Sequence, residues 1–563
     1  MKKHYLFHLT WLTSLLLVIV LIGQASATPD DDSWHYLPLV AHNATFHATT
    51  SAPAYGISFI NSAETRADAQ QLANAQITGA DWDRWPMYWN RIEQTAGQFS
   101  WAYQDEATIA DTAAGFQINA ILLGTPPFYT TGGLTSQTEL PTDELILSPV
   151  ANGFRRINAA TPVGLYEPVF TDGTDIPGPG KQINSTNVWA RFVHTAVNRY
   201  KPGGVIAQAQ NWPAGVGITH WEMWNEPDLS FFWDGTVADY ARLLKVGYAA
   251  AKQADAAAQI LFAGLANDGA YLTYYDDVLD IYDTDPLAGQ FGYFHDILAT
   301  HNYFYAWRTW YHVFRAKNTQ TAHGLNKPVW LNESGVPIWN DYPGPTWEST
   351  SPYRATMNEA ADFVIQNAFY AAYAGATNIF HFQLYDACGN QPGGTDFPPH
   401  NGELCGLPQY PVCAGDAFGL YRNPTDAACF RQHPQPETPR PTMTAYQLLT
   451  THLREVEPYW RLRPGGSNPA DGPQEWIAFY QPGTGNRIVG MWARFGTAQT
   501  AVITATSSTA LLVYPDGTTD TIIPTDGVYS IPLPGATNLN APWDPTLYAI
   551  GGRPVILIEQ DPH

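Results

Sequence analysis

Basic residues are scarce in this chain: 28 Lys and Arg against 51 Asp and Glu in 563 residues, a net charge of −23. A chain so short of cations offers no basic face for a nucleic acid or an anionic membrane, so neither is expected as a partner. Charged residues of both signs make up only 14%, against about 25% in an ordinary globular domain. Beyond the N-terminal segment no apolar run approaches the ~20 residues needed to span a bilayer. Cysteines are few, and Cys388, Cys405, Cys413 and Cys429 lack the paired C-x2-C spacing of a zinc site. His-Glu-x-x-His and EF-hand patterns are missing too, so no metal and no cofactor is expected. No glycine-rich turn follows an early strand, which argues against a doubly wound nucleotide-binding sheet, and no Gly-x-Ser-x-Gly elbow marks an esterase.

Apolar and aromatic residues are what the chain has. Hydrophobic residues reach 45% and aromatics 13%, with 20 Trp, 31 Tyr and 25 Phe. That suffices for a large core and suits a neutral, ring-shaped ligand better than a phosphate. The chain opens with Met1-Lys2-Lys3-His4, continues through an apolar run, and reaches Ala25-Ser26-Ala27. This is the n-region, h-region and cleavage pattern of a secretory signal peptide over 1–27, so a secreted or cell-envelope protein is expected. A tether over 28–52 follows. Four cysteines clustered in an exported chain read as two disulfides stapling a long loop, with the pairing left open.

From residue 55 short apolar runs alternate with amphipathic stretches. Strands are expected at 55–60, ending near 84–88, and at 118–124, 218–224, 260–264, 297–303, 328–332 and 379–384. Eight strands alternating with helices predict a (β/α)8 barrel over 53–462. Two long inserts, 125–187 and the cysteine-bearing 386–440, leave from strand C-terminal ends and are expected to wall the active-site face. Past the barrel the texture changes to short alternating strands with Asp-Gly turns, which predicts a β-sandwich over 468–563.

Two carboxylates stand where barrel strands open into loops. The fourth strand ends Trp221-Glu222-Met223-Trp224-Asn225-Glu226-Pro227-Asp228, and the seventh ends Asn332-Glu333-Ser334-Gly335. Glycoside cleavage needs such a pair, one to protonate the leaving oxygen and one to attack the anomeric carbon. At these residues the chain resembles the clan of retaining glycoside hydrolases built on a (β/α)8 barrel, most of all family 39 and next family 5, over about residues 55 to 460. The resemblance implies a secreted retaining glycosidase acting on a neutral β-linked glycoside or polysaccharide, by xylosidase-like exo-action or by endo-cleavage. It implies Glu226 as acid/base, Glu333 as nucleophile and Asn225 at the sugar 2-hydroxyl. It also places His301 and Tyr303 beside the nucleophile and an arginine of strand two near it, with Arg84 favoured over Arg91. Strand eight departs from the clan, which commonly has a substrate-stacking Trp there. His381, Gln383 and Tyr385 are its alternatives for facing the sugar, each against a place in the core. Trp89, Trp221, Trp224 and Trp330 stand between stacking platform and core. A transglycosylase on the same site and a non-catalytic carbohydrate-binding barrel are the rival readings. Sugar identity, linkage and oligomeric state stay open.

Overall fold

The structure, a computed structural model, describes residues 53–130, 159–230, 232–267, 272–341, 354–386, 396–397, 415–424, 435–466, 471–539 and 547–560. The expected signal peptide, the tether, the four cysteines and residues 131–158 of the first insert lie outside the described residues. All described residues belong to one compact unit, Thr45–His563. Among them no helix is long and apolar enough to cross a membrane.

Eight parallel strands close into a barrel: β1 (Ala54–Ser58), β2 (Trp82–Tyr88), β3 (Gln117–Leu123), β4 (His220–Met223), β5 (Gln259–Leu265), β6 (Ile297–Tyr303), β7 (Val329–Gly335) and β8 (Ala376–Phe382). Between them run the helices α1 (Ala69–Ile77), α2 (Ala102–Ala114), α3 (Val188–Tyr200), α4 (Val237–Ala254), α5 (Tyr274–Asp283), α6 (Arg308–Ala322) and α7 (Met357–Ala374). Helix starts are written locally. Thr236 with Asp239 and Thr356 with Glu359 form reciprocal capping boxes at α4 and α7, each satisfying backbone donors that the first turn leaves unpaired. Gly115 and Gly375 end α2 and α7 in the left-handed conformation, where a Cβ would cost energy.

The barrel strands are buried on both faces, between the lumen and the helices, as every residue of β2 illustrates. The lower lumen is a plug of rings. Trp82, Trp330 and Phe380 pack with Leu261, Ile297 and Ala299, and the His220 ring lies 4.7 Å from Trp82 and 5.1 Å from Trp330. Apolar filling at the strand N-terminal ends leaves the polar chemistry to the C-terminal ends.

After helix α8 (Pro441–His452) come β9 (Glu457–Leu462), β10 (Gln474–Gln481), β11 (Asn486–Ala493), β12 (Gln499–Thr504), β13 (Ala510–Val513), β14 (Thr519–Ile522), β15 (Val528–Leu533) and β16 (Val555–Glu559). They form a six-stranded sheet, ordered β9-β10-β11-β16-β13-β14, and a β12–β15 pair. The sheet starts at Glu457, ahead of the boundary at 468 expected from sequence. Pro458 and a register shift between Pro458 and Trp460 hide the alternation of β9, and an edge strand is where a proline is tolerated. One face of the sheet meets the pair through Trp476, Val489, Met491, Ile503 and Ile531. The other face covers α7. Phe369 of α7 stacks edge-on against Phe479, with centroids 5.6 Å apart, and a Cβ on Gly490 would lie 2.4 Å from that ring. Tyr370 donates to the buried Glu475, which also accepts from Arg461 and Arg463.

Candidate active site

The site begins with irregularities in the strands. The β6–β7 register shifts between Thr300 and His301, so that His301 sits opposite Glu333. A bulge of this kind re-aims side chains at a barrel rim. It also carries β7 through to Gly335, past the end at 332 expected from sequence. At the end of β4 the backbone turns through positive φ at Trp224 (82°) and Glu226 (41°), a conformation that non-glycine residues hold only under local constraint. The constraint is visible: Trp224 N–H donates to the Leu122 carbonyl at 3.0 Å and Glu226 N–H to the Gly264 carbonyl at 2.9 Å. Asp228 holds the next loop by accepting from Ala266 N (3.1 Å) and Asn267 N (2.7 Å).

These turns bring six expected residues together. Arg84, fully buried, donates from Nη1 to Glu333 Oε1 and from Nη2 to Asn225 Oδ1 at 2.8 Å. Tyr303 donates to Glu333 Oε2 at 2.6 Å. His301 Nδ1 lies 2.7 Å from Glu226 Oε1 and 3.5 Å from Glu333 Oε2, between the two carboxylates. The facing atoms of Glu226, His301 and Glu333 all lie within 4.8 Å of one another. Gly264 makes this possible, because a Cβ there would fall 1.9 Å from His301 Nε2. Arg91, the alternative to Arg84, is instead paired with Glu64.

The two carboxylates titrate in opposite directions. Burial pushes Glu226 above the usual carboxylate range, and its bond to His301 only partly offsets this. Burial acts on Glu333 in the same sense, but the charges of His301 and Arg84, with the Tyr303 and Arg84 hydrogen bonds, outweigh it and hold Glu333 below its ordinary value. His301 itself is raised: burial disfavours its charge, and the neighbouring Glu333 and Glu226 more than restore it. Asp228 is pushed up to about 6 by burial and by the charge of Glu226. One carboxyl is thus pushed toward its protonated form beside another pushed toward its ionised form, the direction of division that acid–base chemistry at one bond requires.

Other expected residues lie elsewhere. Trp89 is fully buried, its ring stacked 5.1 Å from Phe192 and 5.6 Å from Tyr129, and its Nε1 donates to Glu93. Packed on both sides, it is a core residue in this fold. Trp221, Trp224 and Trp330 are likewise buried. Tyr385 accepts from Asn74 Nδ2 at 2.8 Å and donates to Glu437, away from the carboxylates. His381 Nε2 is engaged at 3.0 Å with the Phe418 carbonyl. Gln383 is buried, with its Nε2 unpartnered. Strand alternation instead puts Phe382 on the site side. Its half-buried ring meets Tyr303 at 5.8 Å, Phe59 at 5.8 Å and Phe418 at 5.4 Å.

Sequence reasoning passed over Phe382, Phe418, Gly264 and Glu222. Phe418 comes from the described part of the insert after β8. That described part is anchored by Arg440, which donates to Asp386 and Asp341, with Arg422 also on Asp341. Glu222 had a legible signal: a carboxylate inside a buried four-residue strand demands a cation, and Arg84 supplies it.

Glu226, His301 and Glu333 are spaced so that they could also hold a cation. The positive charge already beside Glu333 comes from Arg84, so two acids at this distance do not by themselves require an ion. A second grouping, Asp280, Asp283 and His323, lies on the outer helices.

No protein-family model and no curated protein sequence matches the chain. Solved structures do. A family 39 glycoside hydrolase from the gut symbiont Bacteroides cellulosilyticus WH2 is 15% identical over 90% of this chain and 81% of its own, with a TM-score of 0.53. A monomeric β-xylosidase from Caulobacter crescentus CB15 is 14% identical over 91% and 96%, with a TM-score of 0.50. A conserved exported protein from Bacteroides fragilis is 10% identical over 91% and 98%, also at 0.50. At these identities the likeness establishes the architecture, a closed eight-stranded parallel barrel followed by an antiparallel sheet domain.

Proposed function

We propose that this chain is a secreted retaining glycoside hydrolase that cleaves neutral β-linked glycosides by double displacement. One observation carries the reading: carboxylate oxygens of Glu226 and Glu333 approach within 4.8 Å across His301. Retaining enzymes hold their carboxyls about 5–5.5 Å apart, whereas inverting enzymes leave about 6.5–9.5 Å for a water. There is room here for a sugar carbon to be attacked from one side and its leaving oxygen protonated from the other.

In the first step Glu333 attacks the anomeric carbon while the Glu226 proton passes to the departing oxygen. The glycosidic bond breaks and an ester to Glu333 forms. In the second step Glu226, now ionised, takes a proton from water, whose oxygen displaces Glu333 from the anomeric carbon. Arg84 and Tyr303 hold Glu333 ionised and aimed. Asn225, fixed by Arg84, is placed to meet the sugar 2-hydroxyl, a contact that strengthens in the transition state. Phe382 offers the apolar face that a strand-eight Trp would otherwise supply. The cations described in the site are committed to its own carboxylates, which favours a neutral sugar over a uronic acid.

The test is a panel of aryl β-glycosides, beginning with the xyloside, together with 2-deoxy-2-fluoro glycosides that trap a glycosyl ester. Glu333→Gln is expected to lower kcat on the order of 10⁴-fold or more. Glu226→Ala is expected to recover turnover of activated substrates when azide is added. Trapping on a residue other than Glu333, or full activity in Glu333→Gln, refutes the assignment.

A further inference from the structure

A third carboxylate lies beneath the two just assigned. Glu222, in β4, is fully buried from solvent. It accepts four hydrogen bonds. Arg84 donates to it from Nε at 2.8 Å and from Nη2 at 2.9 Å, Gly264 from its backbone N–H at 2.9 Å, and Asn332 from Nδ2 at 2.9 Å. Four donors fill the lone-pair sites of its two oxygens.

Each donor leads to the reacting groups. Arg84 is gripped along its Nε–Nη2 edge, which fixes the plane of the guanidinium and leaves Nη1 for Glu333 and the second Nη2 hydrogen for Asn225. Asn332 immediately precedes Glu333 in β7. The Gly264 carbonyl accepts from Glu226 N–H, and the missing Cβ of Gly264 admits His301. One buried anion is therefore bonded to β2, β5 and β7 from β4, at the point in each strand next to a group that the reaction uses. Its influence shows on Arg84, whose charge burial disfavours and Glu222 restores more strongly than Glu333 does.

We propose that Glu222 is a positioning residue for this reaction: it sets the guanidinium of Arg84 against Glu333 and Asn225 and divides that guanidinium's charge between two carboxylates. The proposal rests on the glycosidase reading. It differs from a merely structural role in one respect, because it makes the acidity of Glu333 depend on a group that never touches substrate. Without the Glu222 charge, Arg84 neutralises Glu333 alone.

The test reads that acidity directly. Glu333 is titrated by carboxyl carbon NMR in protein labelled at glutamate, its resonance assigned by loss in Glu333→Gln. In Glu222→Gln the Glu333 midpoint is expected to fall by about one pH unit or more, with kcat on an aryl glycoside reduced on the order of 10²-fold and KM changed by no more than a few-fold. Glu222→Asp keeps the charge but is one methylene short of its four donors. It is expected to leave the midpoint near the wild-type value while kcat still falls. An unmoved midpoint with undiminished kcat in Glu222→Gln overturns the proposal, as does normal kcat in Glu222→Asp should the first variant fail to fold. The titration needs no substrate, and fluoroglycoside trapping on the wild-type protein reports separately on the glycosidase reading.

Discussion

Replacing Gly264 with alanine adds one carbon and two hydrogens, yet the structure assigns it a large effect on function and a modest one on stability. The new Cβ would lie 1.9 Å from His301 Nε2, where ordinary contact begins near 3.4 Å, so the ring must retreat by about 1.5 Å. The backbone of residue 264 cannot yield instead, because its N–H is bound to Glu222 and its carbonyl to Glu226, each at 2.9 Å. A retreat of that size removes the 2.7 Å contact between His301 and Glu226. Misplacement of a catalytic contact by about 1 Å costs on the order of 10²-fold in rate, or about 2.7 kcal/mol of transition-state stabilisation. Overpacking costs about 1–3 kcal/mol of stability, which in a chain of this size moves Tm by only a few degrees. The assay pairs kcat/KM on an aryl β-glycoside with calorimetric Tm for wild type and Gly264→Ala. A variant with lowered Tm but undiminished kcat/KM would refute the claim that the placement of His301 matters to the reaction.

Other expectations follow from the buried acids. The kcat/KM profile should be bell-shaped: Glu333, held low, must be ionised and sets the acid limb, while Glu226, held high, must be protonated and sets the alkaline limb. Activity that keeps rising past the ordinary carboxylate range into alkali would contradict the assignment of Glu226 as the acid. Asp83 and Asp111 form a buried pair tied together through Asn61, whose backbone N–H reaches Asp83 and whose Nδ2 reaches Asp111. Burial raises both, Asp111 to about 7 and Asp83 well above its ordinary value. The native state then keeps protons that the unfolded chain releases near pH 4, so the pair's contribution falls as pH rises through about 4 to 7, at up to about 1.4 kcal/mol per pH unit for each proton retained. Urea midpoints at pH 5 and pH 8 should drop less in Asp83→Asn than in wild type, and equal drops would count against proton retention by the pair. Glu475→Ala leaves Arg461 without its buried partner and is expected to cost about 3–5 kcal/mol, checked by chemical denaturation.

Much of this site could be read in the chain because its chemistry is local. Trp-Asn-Glu-Pro and Asn-Glu-Ser each place a carboxylate at a strand end within a few residues, and the βα spacing orders the strands. What escaped was settled between distant segments. Glu222 and Arg84 are 138 residues apart, so the buried acid's need for a cation is local while the identity of its partner is not. The shift that sets His301 opposite Glu333 is one residue of slippage between β6 and β7, invisible to period counting. Trp89 looks like a sugar platform until Phe192 and Tyr129 occupy its faces. In strand eight the residue on the site side is Phe382, hidden by the expectation that a hydrogen-bonding side chain would take the place of the absent Trp.

Helix α7 has its inner side on the barrel and its outer side under the C-terminal sheet, and it is the helix that links β7, which carries Glu333, to β8, which carries Phe382. The second domain is therefore less an appendage than the rear wall of the barrel. Such a wall cannot be exchanged or lost as a cassette. Any lineage that shed it would have to re-surface α7 with polar residues first. Heat or denaturant that lifts the sheet also strips the backing from the helix between the two strands that carry Glu333 and Phe382, so undocking of the second domain is expected to disturb both.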